Sequence, residues 1–168
     1  MKIQFRIVAL SAMMGLAISG HPSQAQWKPG PSSLKTQWAA QVSPKNVLPE
    51  YPRPQMVRSN WQSLNGLWSF GINHFGSMFA PNDMTGQILV PFPYESALSG
   101  IGQPSPVTQK LWYKRTFTIP KSWKNQGVLL HFGAVNYESS VMLNGRTLGS
   151  HKGGFDSFDF DITAQLRE

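Results

Sequence analysis

A chain of 168 residues with 15 Gly, 13 Pro and 40% hydrophobic residues is long enough for one domain and too short for a multidomain enzyme. It has no cysteine, which excludes disulfides, thiolate zinc sites and a lipid anchor made through a thiol. Its net charge of +7 is spread over Lys28, Lys35, Lys45, Arg53, Arg58 and onward, so no basic block forms and nucleic acid is not an expected partner.

Residues 1–25 have the plan of a secretory signal peptide. Lys2 and Arg6 supply the charged start, Ile7 to Ile18 an apolar core, and Ser23-Gln24-Ala25 a small-x-small cleavage site. The core is 12 residues long, whereas a membrane-spanning helix needs about 20, so cleavage is expected and anchoring is not. The expected location is outside the cytoplasm, periplasmic or extracellular, with no membrane attachment after cleavage. Loss of Lys2 and Arg6 lowers the net charge from +7 to +5.

Residues 26–54 are rich in Pro, Ser, Gln and Lys and lack apolar periodicity, as in SSLKTQWAAQVSPKNVLPEYPRP. They read as an extended lead-in that drapes over the domain or stays mobile, with Trp27, Trp38 and Tyr51 able to pin it. The domain itself is expected over residues 55–168.

From Trp61 the pattern is that of β-structure. After a turn at Leu64-Asn65-Gly66, Trp68, Phe70 and Ile72 alternate with Ser69 and Gly71. A loop from His74 to Gly86 leads to a short strand, Ile88 to Val90, and Pro91-Phe92-Pro93 is expected to be extended. Tyr94 to Lys110 is a long connection stiffened by Pro104 and Pro106. In Trp112 to Ile119, Tyr113, Phe117 and Ile119 share a face with Arg115, opposite Trp112, Lys114, Thr116 and Thr118. Val128 to Val135 has apolar side chains at both parities, which predicts a strand covered on two sides. Ser139 to Leu143, Asn144-Gly145 and Arg146 to Leu148 predict a hairpin, because a type I′ turn needs positive φ at both central residues. Phe158, Phe160 and Ile162 oppose Asp159, Asp161 and Thr163, predicting a half-buried strand. Helix periodicity is absent, and the fold class is all-β.

Catalytic sets are scarce. Glycoside hydrolysis needs two carboxylates, about 5 Å apart for retention or roughly 6.5–9.5 Å apart for inversion. Asp159 and Asp161 stand about 6.6 Å apart along a strand at ~3.3 Å per residue, yet two acids opposite buried Phe residues are what a solvated strand face carries. Asp156, Asp159 and Asp161 suggest calcium by their charge, but lack the Gly-containing loop of an EF-hand. His21, His74, His131 and His151 do not pair at metal spacing, and no nucleophile elbow, phosphate loop or dinucleotide fingerprint occurs. No metal, no cofactor and no catalytic residue is therefore expected.

The stretches LWYKRTF, IPKSW, VLLHFGAV, VMLNG and HKGGFDSFDFDIT, with YPRPQMVRSNWQSLNGLWSF and ILVPFPYESALSG upstream, resemble the N-terminal sugar-binding domain of family 2 glycoside hydrolases, the β-galactosidase, β-glucuronidase and β-mannosidase group. The likeness runs from Tyr51 to Thr163. It implies a jelly-roll β-sandwich, galactose-binding-domain-like and non-catalytic. In that family an immunoglobulin-like sandwich and a (β/α)8 barrel follow, and the barrel carries both catalytic glutamates. Those domains would be the natural partners, and nothing in the sequence matches them. The family pattern also continues past Asp161-Ile162-Thr163 with a Gly-x-Asn turn and a further strand, so the expectation is a fragment whose sandwich lacks its last strand.

A sugar-binding role calls for aromatic faces and for amide or carboxylate partners of hydroxyls. Tyr94 and Glu95 in the long connection, with Gln109 and Trp112 at the start of the next strand, are the candidates for contact with a β-glycoside; packing on the sandwich is the other use open to Tyr94 and Trp112. Some relatives contact substrate through an asparagine near this strand, but Lys114 stands there, and that contact is not carried over. A stand-alone secreted carbohydrate-binding or interaction module is the alternative reading.

Overall fold

The computed structural model describes residues 27–31, 34–105 and 108–167. The expected signal segment lies outside them. All the strands pair antiparallel, and the helical turns among the described residues are short 3-10 segments. The all-β reading holds.

The chain forms two compact units that interleave along the sequence. One takes the described residues up to Glu50 together with Asn65–Arg115; the other takes Tyr51–Leu64 and Thr116–Glu168.

In the first unit, β1 (Gly66–His74) lies between β2 (Gly86–Val90) and β3 (Gln109–Lys114). The register sets Trp68 against Ile88, Phe70 against Tyr113, and Ile72 against Leu111. Because side chains alternate along a strand, these residues share one face with Gln109, while Gly71, Trp112, Lys110 and Lys114 take the other. The first face packs into a core of Phe70, Ile88 and Tyr94, flanked by Trp68, Val90, Ile101 and Leu111.

Pairing in β3 stops at Lys114 instead of running to Ile119. Arg115 directs its guanidinium at the strand partner's backbone, Nη1 donating to the carbonyls of Asn65 at 3.2 Å and Leu67 at 3.3 Å. The Pro91 segment turns instead of extending, since Phe92 N donates to Leu89 O at 3.1 Å. The long connection holds a 3-10 turn, Ala97–Ser99, capped by the Ser96 side chain.

The lead-in is tied down in places. Gly30 N donates to Ala97 O at 2.7 Å, Asn65 Nδ2 reaches the carbonyls of Val47 and Leu48, and Val47 is buried. Trp27 lies against Gly100, whereas Trp38 stays 61% exposed. Gly100 has φ of 92°, and a Cβ there would meet the Trp27 indole at 3.0 Å, so glycine serves both the backbone and the packing.

In the second unit, β4 (Leu129–Phe132) pairs with β7 (Phe158–Asp161), and β5 (Glu138–Leu143) with β6 (Arg146–Lys152). The β5–β6 turn is Asn144-Gly145, with φ of 53° and 83°, the two positive values expected. Phe132 stacks on Phe158 at 4.8 Å, and Phe160 stands edge-on to both. The prediction that β4 is covered on two sides fails. Leu129 faces Asp161 and His131 faces Asp159, so this side is polar and leaves Leu129 54% exposed. Tyr51 packs on Trp61 at 4.7 Å, and Trp61 lies 5.8 Å from the His131 ring.

Candidate functional site

The four sugar-binding candidates belong to the first unit, and the sheet does not bring them together. Tyr94 is 6% exposed, its ring 5.7 Å from Phe70 and its hydroxyl 3.5 Å from Gln103 Oε1. No ring face is left for stacking. Trp112 is opposite Gly71, on the other side of β1 and β3 from Tyr94 and Phe70. It is half-buried beside Lys110, whose Nζ lies 5.8 Å from the ring centroid, and its indole Nε1 is buried without a hydrogen-bond partner. Gln109 is exposed at the start of β3, in register with His74.

Glu95 is exposed and acts electrostatically. The Tyr113 hydroxyl is pushed up to about 12, first by burial, then by the negative charge of Glu95 and by Tyr94. Tyr113 as a residue keeps 40% exposure, so the burial is that of one end of the side chain. Glu95, Tyr94 and Tyr113 form a cluster on the core side of the sheet, with the Phe70 ring edge-on to Tyr113 at 5.4 Å.

The loop between β1 and β2 is anchored on the Trp112 side. Asn73 Nδ2 donates to Phe79 O at 3.2 Å, Lys110 Nζ donates to Ser77 O at 2.9 Å, and Phe75 N donates to Thr108 O at 3.2 Å. Gly71 leaves room for Pro81, whose Cγ would lie 2.7 Å from a Cβ at that position.

The acidic residues of the second unit are each engaged separately. Asp159 pairs with His131 Nδ1. Asp156 Oδ2 lies 3.2 Å from His151 Nε2, within ion-pair range but without hydrogen-bond alignment. Asp161 accepts the N–H and hydroxyl of Thr163, which hold its carboxyl below the usual carboxylate range against a smaller opposing effect of desolvation. A retaining acid needs the opposite, a carboxyl kept protonated near neutrality. Among the described residues no group of three His, Asp or Glu could hold a metal ion, so the calcium reading of Asp156, Asp159 and Asp161 does not stand.

Nothing in residue spacing singles out a third place, a cavity of about 160 Å³ lined by Asn144, Arg146, Ala164, Gln165, Leu166 and Arg167. Asn144 Nδ2 donates to Gln165 O at 2.7 Å, and Arg167 Nη2 donates to Asn144 O at 2.9 Å. The hairpin turn is readable from Asn144-Gly145, but its approach to residues 164–167 is a long-range contact.

Antiparallel sheets, an aromatic core and polar outer faces define an all-β domain of the β-sandwich class. Residues 88–168 match the family described as "Glycosyl hydrolases family 2, sugar binding domain". The chain is similar to a β-glucuronidase of Paenibacillus borealis, 29% identical over 118 residues that are 67% of this chain and 20% of that protein. It is also similar to a β-galactosidase of Thermoanaerobacter pseudethanolicus, 38% identical over 56 residues, 33% of this chain and 8% of that one. Among solved structures, a β-glucuronidase of Faecalibacterium prausnitzii superposes with a TM-score of 0.52 at 31% identity, over 63% of this chain and 18% of that chain. The chain spans about a fifth or less of the length of these relatives.

Proposed function

We propose that this chain is an exported, non-catalytic sugar-binding domain that serves the hydrolysis of β-glycosides. The observation that carries the reading is the match of residues 88–168 to the family 2 sugar-binding domain, with β-glucuronidases and β-galactosidases as relatives. Export follows from the charged start, apolar core and Ser23-Gln24-Ala25 of residues 1–25. The ionised state favoured for Asp161 argues against a general-acid role for that residue. Of the four candidates, Glu95 in the long connection and Gln109 at the start of β3 have the exposure a hydroxyl contact needs, and the bond cleavage itself is assigned to catalytic domains of the kind found in whole relatives.

The test uses the purified chain with nitrophenyl β-glucuronide and β-galactoside, and with the corresponding methyl glycosides by NMR. No turnover and saturable shifts are expected. Turnover abolished by Asp161→Asn, or failure of every β-glycoside to bind, would overturn the reading. Export is checked separately by sequencing the secreted product, which is expected to begin at Gln26.

A further inference from the structure

Asn-Gly occurs twice in the sequence, at Asn65-Gly66 and at Asn144-Gly145. The pair is chemically labile for a local reason. The side-chain carbonyl carbon of an asparagine lies within reach of the next backbone nitrogen, and glycine puts no Cβ in the way of the ring that would close. The fold places the two pairs in opposite surroundings.

Asn65 is half-buried, and Gly66 is buried at the first position of β1, in register with Val90. Asn65 Nδ2 donates to the carbonyls of Val47 at 3.3 Å and Leu48 at 3.1 Å, and a Cβ on Gly66 would meet Arg115 Nη1 at 2.9 Å. Ring closure there requires β1 to open. Asn144 and Gly145 are exposed at the β5–β6 turn, and nothing lies within 4 Å of a Cβ built on Gly145. The Asn144 side chain is held by its bond to Gln165 O at 2.7 Å. Both asparagine backbone carbonyls accept an arginine N–H, from Arg115 at 3.2 Å on Asn65 and from Arg167 at 2.9 Å on Asn144. A cation donating to a peptide carbonyl favours loss of the adjoining N–H proton. That activation is common to both pairs, so freedom of movement separates them.

We propose that Asn144 is a site of spontaneous deamidation, and that the reaction frees Gln165 from the β5–β6 turn. Hydroxide takes the Gly145 N–H proton, and the nitrogen attacks Asn144 Cγ, forming the N–C bond of a five-membered succinimide. The Cγ–Nδ2 bond breaks, and Nδ2 takes a proton from water and leaves as ammonia. Water then adds to either ring carbonyl and opens it to aspartate or isoaspartate, with no change of oxidation state. Each product carries a carboxylate in place of the amide. A carboxylate accepts and does not donate, and Gln165 O is itself an acceptor, so the bond between them cannot re-form. The change is one-way and accumulates with the age of the molecule.

The test follows the purified full chain by peptide mass spectrometry at neutral and mildly alkaline pH, both folded and in urea. In the folded chain Asn144 is expected to convert about tenfold or more faster than Asn65, and faster at the higher pH, while in urea the two rates converge. Equal rates in the folded chain, or a ratio that persists in urea, would overturn the proposal, since sequence alone would then set them. Release of Gln165 is read by hydrogen exchange at its own N–H, which donates to Ile162 O at 3.0 Å. Exchange there should be about two- to tenfold faster, one hydrogen bond's worth, in the converted fraction separated by its added negative charge, and also in Asn144→Asp made directly. Unchanged exchange in the converted fraction overturns the release of Gln165 even if the variant does not fold. Sugar binding is not read in any of these measurements, so the proposed function stands or falls separately.

Discussion

The carboxylate of Asp161 accepts two bonds from Thr163, one from the backbone N–H at 2.9 Å and one from the hydroxyl at 2.6 Å. The same hydroxyl oxygen accepts Val128 N at 2.8 Å, so one threonine joins the end of β7 to the chain entering β4. Bonds donated to a carboxylate favour its ionised form, which is why its pKa falls below the ordinary 3.8. A depressed carboxylate stabilises the fold above the unfolded-state value and loses that effect as pH falls through the folded value. Thr163→Val should therefore raise the Asp161 pKa toward 3.8 without restoring it fully, because the backbone donor remains. A carbon-detected NMR titration of the Asp161 side chain measures this, and an unmoved value in the variant would contradict it.

Tyr113 should titrate late. Its pKa of about 12 against an ordinary 10.0 means that the folded protein holds the phenolic proton more tightly than the unfolded chain. Stability from this group is thus fully present below pH 10 and declines as pH rises from 10 to 12. Glu95→Gln should lower the value only in part, since burial is the larger cause. Ultraviolet absorbance of tyrosinate against pH, compared between the two chains, distinguishes this from a shift governed by Glu95 alone.

Ile88 sits fully buried in the first core, clustered with Phe70 and Tyr94. Ile88→Ala removes three carbons where nothing can refill the space, and a loss of about 2–5 kcal/mol is expected. Ile88→Val should cost about 0.5–1.5 kcal/mol. Urea denaturation followed by tryptophan fluorescence gives both numbers, and equal effects for the two would argue against a tight core.

Gly149 on β6 answers to the opposite problem. A Cβ there would stand 2.7 Å from Phe160 Cε1, and Phe160 is held edge-on against Phe132 and Phe158. Gly149→Ala should destabilise by about 1–3 kcal/mol through overpacking. The double variant with Phe160→Leu should recover part of that loss, a coupling that a double-mutant cycle on thermal or urea midpoints reads directly.

Local chemistry was the part of the fold that could be read in advance. The Asn144-Gly145 hairpin, the alternation of Phe158, Phe160 and Ile162, and the strand around Phe70 depend on neighbouring residues and on period two. Errors came where a distant group intervened. Arg115 reaches two carbonyls near residue 66 and so ends β3 early, and Asp159 and Asp161 face the odd side of β4 and make it polar. The candidate sugar residues failed to converge for the same reason. The alternation of Trp112 and Tyr113 is visible in the sequence, but the side of the sheet on which Tyr94 docks depends on its packing with Phe70, a strand away in the sequence.

The interleaving of the two units sets an order of events on the ribosome. Tyr51–Leu64 is synthesised ahead of Asn65–Arg115, yet the Tyr51 and Trp61 rings complete their unit with His131 and its neighbours, which emerge last. The first unit is complete in sequence once Arg115 has been made, while Tyr51–Leu64, with Trp61 in it, awaits partners from Thr116 onward. A nascent chain of this kind spends its longest vulnerable interval with Trp61 exposed, and the length of that interval is set by translation speed as much as by the strength of the final contacts.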